Sequence, residues 1–158
     1  MNQYIGTKLI NATPMNRQQY NDYRGWQLPA DECGDDDGFL VEYVDGGKSN
    51  DSRHAGYISW SPKEVFERAY QPTDGMSFGM AIEALKRCHK VARKGWNGKG
   101  MFLFLIDGGW DGTTDGAGEE INDLNRCPFI CMKTAGNELI PWLASQSDVL
   151  SSDWMIVQ

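Results

Sequence analysis

The sequence predicts an α+β protein: an antiparallel sheet with a packed N-terminal helix over residues 76–158, preceded by a small α+β accessory module over residues 1–75. Three observations carry this. Strand-like and helix-like runs follow one another with no βαβ repeat, so the strands pair antiparallel. Gln71-Pro72-Thr73-Asp74-Gly75-Met76 sets Pro and Gly directly after a helical pattern, which marks a boundary. Six Trp, six Tyr and six Phe in 158 residues suit either a small β-rich core or a site that stacks flat rings.

In the first part, residues 7–12 read as a short strand. Thr13 and Pro14 read as a helix N-cap followed by Pro at the first helical position, which opens a helix as far as Tyr23. Residues 28–38 form a loop with Pro29, Gly34 and the acid run Asp35-Asp36-Asp37. A strand over 39–44 is closed by Asp45-Gly46-Gly47, and 56–60 is the next strand. Ser61-Pro62-Lys63-Glu64 fits a capping box, so a helix follows as far as Tyr70.

In the second part, Ser77 caps a helix whose apolar residues Met80, Ala81, Ala84, Leu85 and Cys88 recur at helical spacing. Val91-Ala92-Arg93 leads into a Gly-rich turn, and 101–106 is a strand of the buried type. Residues 107–125 are a long acidic, Gly-rich loop. Residues 129–134 and 138–143 make a hairpin around Ala135-Gly136-Asn137. Ser147 or Asp148 opens one short helical turn, and 154–157 closes the chain as a strand.

Composition narrows the classes of function. The length allows one domain or two very small ones. Formal charge is −7, divided as −5 over residues 1–75 and −2 over 76–158, which argues against a duplex-DNA binder. No basic region followed by an apolar one opens the chain, and no apolar run approaches the ~20 residues that span a bilayer. A soluble cytoplasmic protein is expected. Cys33, Cys88, Cys127 and Cys131 then read as free thiols. Cys127 and Cys131 lie four apart, which is not zinc or redox spacing, and read as small core hydrophobes on one side of a strand with Phe129.

Two segments could carry chemistry. Between Lys86 and Met101 stand Lys86, Arg87, Lys90, Arg93, Lys94 and Lys99 with no acid, together with Trp96, Gly95, Gly98 and Gly100. Cations neutralise phosphate, glycines admit backbone N–H groups to it, and an indole face stacks on a base. Lys86, Arg87 and Lys90 equally suit the end of a helix, where cations complement its dipole. Trp96, Asn97 and Lys99 therefore remain as the candidates. The second segment, Pro141-Trp142-Leu143-Ala144-Ser145-Gln146-Ser147-Asp148, sets a Trp beside two hydroxyls, an amide and a carboxylate where a strand ends. Trp142 and Leu143 also suit a core, and Ser147 or Asp148 a helix cap.

No catalytic constellation stands out. The two histidines, His54 and His89, lack metal spacing, and no nucleophile elbow or phosphate-binding loop occurs. Asp107, Asp111, Asp115, Glu119, Glu120 and Asp123 lack the order of a calcium loop and read as solvated.

Residues 76–157 resemble the Thoeris anti-defense protein 2 family. The resemblance rests on Met80-Ala81-Ile82-Glu83-Ala84-Leu85, on the run from Val91 to Met101 through Arg93-Lys94-Gly95-Trp96-Asn97-Gly98-Lys99, on Met132-Lys133-Thr134, on Pro141 to Asp148, and on Asp153-Trp154. It implies a compact α+β fold that assembles as a homotetramer, with ligand pockets between subunits. It also implies that the ligand is glycocyclic ADP-ribose, with cyclic dinucleotides as a further class, bound and sequestered without cleavage. The implied ligand-binding residues are Arg93, Trp96, Asn97, Lys99, Met101, Trp142, Ala144, Ser145, Gln146 and Asp148, the last accepting from ribose hydroxyls or a base amine. No catalytic residue, metal or cofactor is expected. Residues 1–75 lie outside the pattern, as does the length of the 107–125 loop. Two other readings compete: a phosphodiesterase-type enzyme that degrades the signal, and an acidic inhibitor that binds a host defence enzyme.

Overall fold

The computed structural model describes residues 1–108 and 127–158, which divide into two units, Met1–Gln71 and Pro72–Gln158. The first unit contains β1 (Ile10–Pro14), α1 (Arg17–Arg24), β2 (Gly38–Tyr43), β3 (Tyr57–Pro62) and α2 (Lys63–Ala69). Its strands form an antiparallel sheet in the order β1-β2-β3, with Thr13 opposite Leu40 and Leu40 opposite Trp60. Period-two alternation sends Leu40 and Ile58 to one face, where they pack with Tyr20 of α1. Phe39 takes the other face and stacks on Phe66 of α2, with ring centroids 4.0 Å apart. Gly38 is required where β2 begins, because a Cβ there would collide with the Trp60 indole and the Ser61 carbonyl oxygen.

Both helix starts expected in this unit move. Thr13 and Pro14 end β1 instead of opening α1, with Pro14 opposite Phe39 on the sheet's edge strand, where a missing N–H is tolerated. The cap is Asn16: its side chain accepts from Gln19 N at 2.8 Å, and the Gln19 side chain accepts from Asn16 N at 2.9 Å. Gly25, at φ 68°, ends the helix in the left-handed region. At the second start, Ser61 is held in β3 opposite Phe39, so α2 begins one residue too late for a capping box and Pro62 caps it with no side-chain bond. The helical N–H of Lys63 is met by the Asp37 carbonyl at 3.0 Å.

The second unit contains α3 (Phe78–Lys86), β4 (Lys90–Arg93), β5 (Phe102–Ile106), β6 (Phe129–Lys133), β7 (Leu139–Pro141), α4 (Gln146–Val149) and β8 (Trp154–Val157). The five strands are antiparallel in the order β7-β6-β5-β4-β8. One row across the sheet, Ile156–Val91–Leu103–Met132–Ile140, faces α3. Ala81, Ala84 and Leu85 of α3 pack on it, with Met76 and the fully buried Trp154. Residues 72–76 travel with this unit: Met76 and Trp154 exchange backbone bonds of 2.7 and 3.1 Å, and Ile156 N donates to Thr73 O at 2.8 Å. Among the described residues of this unit no helix covers the opposite face, which carries Phe102, Phe104 and Leu139.

Ser77 caps α3 by accepting from Met80 N, in line with the sequence. Cys88 does not continue its apolar stripe. It is exposed at φ 64°, immediately past the helix, where Cys88 N donates to Leu85 O at 2.9 Å and His89 N to Ala84 O at 3.0 Å. This pair of bonds is a Schellman C-cap, a place normally held by glycine. The four thiols are free, but only Cys131 is buried, and burial pushes its thiol pKa up. Cys127 is exposed because β6 begins two residues after it. The hairpin turn forms as expected, with Asn137 at φ 65° between Thr134 and Glu138. Asp107 is exposed, and Asp111, Asp115, Glu119, Glu120 and Asp123 lie outside the described residues. No helix among the described residues is long and apolar enough to cross a membrane.

A left-handed non-glycine residue costs roughly 1–2 kcal/mol, part of which glycine's extra freedom in the unfolded chain offsets. Cys88→Gly should therefore raise the stability of the second unit by roughly 0.5–1 kcal/mol. In thermal denaturation that is an increase of a few degrees, and a fall would show that the thiol stabilises the fold.

Candidate functional site

Arg93 is the last residue of β4 and sits opposite Trp154, the first residue of β8. Its guanidinium forks between two carboxylates: Nη1 donates to Asp148 Oδ1 at 2.9 Å and Nε to Asp153 Oδ1 at 2.8 Å. Asp148 sits in α4, a helix of only four residues that cannot hold itself together by its own backbone bonds. A capping box supports it: Ser145 Oγ accepts from Asp148 N at 3.2 Å, and Asp148 Oδ2 accepts from Ser145 N at 3.1 Å and from Ser145 Oγ at 2.6 Å. The Trp154 indole N–H closes the other end of the turn on Asp148 O at 3.0 Å. Asp153 in turn receives the Ser151 hydroxyl, and its Oδ2 accepts from Gly95 N at 3.2 Å. Its backbone carbonyl accepts from Lys94 N at 3.1 Å, so the turn after β4 is fixed to the start of β8.

That turn delivers Trp96. Trp142 arrives from the other side of the sheet, where its N–H donates to Ile130 O at 2.9 Å just past β7. Both indoles pack on Trp154, with centroids 5.6 Å away for Trp96 and 6.0 Å for Trp142, and they lie 6.5 Å from one another at 58°. Phe78 at the start of α3 completes the group, 5.5 Å from Trp154 and 6.1 Å from Trp142. Trp154 is wholly buried, whereas Trp96 and Trp142 are half-buried and keep part of their surface open.

The charges are set by the same contacts. The Arg93 guanidinium holds the Asp153 carboxyl down at about 2, with help from Ser151. For Asp148, burial pushes the pKa up, but the bonds from Ser145 and Arg93 outweigh it and the net shift is down. The pKa of Arg93 is raised, first by Asp153 and then by Asp148. All three groups therefore stay charged at neutral pH. The apolar surface of two indoles beside this frame can stack on a flat ring, and the Ser147 hydroxyl can donate to or accept from its substituents, the Ser145 proton being already given to Asp148 Oδ2.

Residues 76–157 match the Thoeris anti-defense 2-like domain, just over half of the chain. The chain belongs to the Thoeris anti-defense 2-like family. It is 49% identical over 84 residues to Thoeris anti-defense 2 of Bacillus phage SP01, a match that covers 52% of this chain and 94% of that protein. Such coverage leaves no room in the phage SP01 protein for both units of this chain.

Within the Thoeris anti-defense 2-like domain, the fold brings Arg93, Trp96, Trp142, Ser145 and Asp148 together. Ala144 is half-buried next to the cap. Met101 packs against the hydrophobic core and sits close to Gly98. Asn97, Lys99 and Gln146 are exposed, and their side chains make no hydrogen bond or ion pair among the described residues. Asp148 is more committed than its sequence position suggests, since Arg93 and Ser145 already take three of the roughly four lone-pair sites of its carboxylate. Asp153 is a site residue that the sequence does not single out as a ligand contact. It lies 60 positions from Arg93, and no local pattern pairs them.

Because the Asp153 pKa is depressed in the folded state, its contribution to stability is present above the ordinary carboxylate pKa near 4 and is lost as pH falls toward 2. Melting temperature should drop across that window, and Asp153→Asn should flatten the drop while lowering stability at neutral pH. Parallel pH profiles for the two proteins would show that the Arg93 pair does not hold this part of the fold.

Proposed function

We propose that the second unit captures a cyclic ADP-ribose-type immune signal, glycocyclic ADP-ribose first and a cyclic dinucleotide second, and sequesters it uncleaved in the host cytoplasm. In this reading the protein is a phage anti-defence factor that removes the messenger of a Thoeris system. Membership of the family supports the anti-defence role. The observation that carries the ligand class is the meeting of Trp96 and Trp142, from segments 46 residues apart, beside hydroxyls fixed by the Arg93 frame. A base stacks on indole, and ribose hydroxyls find Ser145, Ser147, Gln146 and Asn97 within the same segments.

A homo-oligomer, with a tetramer as the expected state, fits the same region. Leu143 is 92% exposed and Leu150 80% exposed, on either side of the Ser145–Asp148 cap, and the face bearing Phe102 and Phe104 has no helix over it among the described residues. A second subunit that covered Leu143 and Leu150 would also enclose a ligand too large for one subunit's half-open site, while the face bearing Phe102 and Phe104, on the other side of the sheet from the indoles, offers a separate contact for further subunits.

The deciding experiment is to incubate the protein with cyclic ADP-ribose isomers and cyclic dinucleotides, remove free ligand, denature by heat and identify what is released. Intact nucleotide supports capture, a cleaved product makes the protein an enzyme, and no uptake favours an inhibitor that binds protein. Trp96→Ala should weaken capture by roughly tenfold to a hundredfold, since a stacked base is worth ~1–3 kcal/mol. Trp96→Phe, which keeps an aromatic packed on Trp154, should lose less. Light scattering should give four times the monomer mass, and a monomer at micromolar concentration would refute the shared pocket.

A further inference from the structure

The first unit carries an unpaired backbone donor and acceptor on the open edge of β3. That strand ends the sheet order β1-β2-β3, so one of its sides has no strand partner. At Ile58 the chain closes that side itself: the Asn50 side-chain oxygen accepts from Ile58 N at 2.8 Å, and its amide nitrogen donates to Ile58 O at 2.9 Å. One planar carboxamide thus satisfies both backbone groups of an outward-bonding residue. Such residues recur at every second position of an antiparallel edge. The next is Trp60, whose N–H and C=O face away from Leu40, and no described residue takes them. The one after is Pro62, which has no N–H to offer.

A groove of about 380 Å³ lies along this edge. Tyr57 and Ser59 belong to one face of the sheet and Ile58 and Trp60 to the other, yet all four line it, so it follows the strand edge and not a face. Tyr20 and Trp26 stand across from them. Trp26 packs edge-on against Tyr20 and keeps 52% of its surface exposed, which leaves indole surface open to a second flat ring. Among the described residues the charged lining is Arg17 and Glu32, which pair with each other at 2.8 Å, so the groove carries no net charge.

We propose that this groove binds a small, uncharged aromatic molecule bearing a primary carboxamide, held by the backbone of Trp60 as the Asn50 side chain is held by that of Ile58. The ligand's amide oxygen accepts from Trp60 N and its amide N–H donates to Trp60 O, the exchange the protein already makes two residues earlier. The ring attached to the amide rests on Trp26. Strand addition does not suit this edge, because Asn50 blocks it on one side of Trp60 and Pro62 lacks a donor on the other, which leaves room for one amide. A carboxylate has no proton for the Trp60 carbonyl, and its charge meets an arginine already paired. The site lies within residues 1–71 and does not depend on what the second unit binds.

The test titrates the whole chain with benzamide, acetophenone, N,N-dimethylbenzamide and benzoate, read in backbone-amide NMR spectra. Benzamide should shift the Trp60 amide proton downfield and saturably, and by more than it shifts any other backbone amide. Acetophenone and N,N-dimethylbenzamide keep the acceptor but lose the donor, and benzoate exchanges the donor for a charge. Each should bind about tenfold more weakly than benzamide, since the Trp60 carbonyl is then left without its bond. Trp26→Ala, a change to an exposed side chain, should weaken benzamide about tenfold with the circular dichroism spectrum unchanged. No saturable shift at Trp60, equal binding by acetophenone or benzoate, or equal binding of benzamide by the Trp26→Ala protein would each overturn the proposal.

Discussion

The guanidinium of Arg93, shared between Asp148 and Asp153, joins three pieces of chain at one point. One is the end of β4, the second is the four-residue helix α4, and the third is the entry to β8. Each carboxylate is also tied by other donors, Asp148 by the Ser145 cap and Asp153 by nearby Ser151 and, across the sheet, by the backbone of Gly95. The positive charge thus sits between two anchored negative ones, and little side-chain entropy remains to be lost when the pairs form. The side chains of Arg93 and Asp148 are 19% and 14% exposed, so solvent and salt screen this pair less than a surface ion pair. Removing any one member would leave the others partly buried without their partner, which is the costly direction.

From that junction the aromatic group follows. Trp154 is buried where β8 meets β4, and its indole N–H must find an acceptor once water is excluded. It finds the Asp148 carbonyl, so the same helical turn that receives Arg93 also satisfies the tryptophan. Trp96 and Trp142 then lean on Trp154 from opposite ends of the sheet. Their placement depends on a core residue, yet their outer surfaces stay open. This division is what a stacking site needs: a rigid inner side and an apolar outer one.

The two units manage their sheets differently. In the first, α1 and α2 cover both faces, so the exposed feature is an edge, closed at Ile58 by Asn50 and open at Trp60. In the second, α3 covers one face only among the described residues, so the exposed feature there is a face with Phe102 and Phe104 on it. Edges offer hydrogen bonds in register and faces offer apolar area, so the kinds of partner that suit the two units differ.

What the sequence determined by itself was local. The runs read as strands at 39–44, 101–106 and 129–134 became strands to within a residue at each end, the stripe around Ala81, Ala84 and Leu85 became the buried side of α3, and Ser77 became its cap, because these signals act within one or two turns of chain. The resemblance over 76–157 was also readable, since it rests on runs of consecutive residues. Helix starts were less readable: Thr13 and Ser61 have cap chemistry, but pairing opposite Leu40 and Phe39 took them into the sheet, and α4 opens on Ser145 instead of Ser147 or Asp148. Cys88 fitted the helical stripe by spacing, and only the left-handed cap turned it out to solvent. The partners of Arg93 stand 55 and 60 residues away, and no periodicity reaches that far. Tertiary structure alone decided that Asp148 belongs to an ion pair, because a carboxylate's role is set by which donors the fold brings within 3 Å of it.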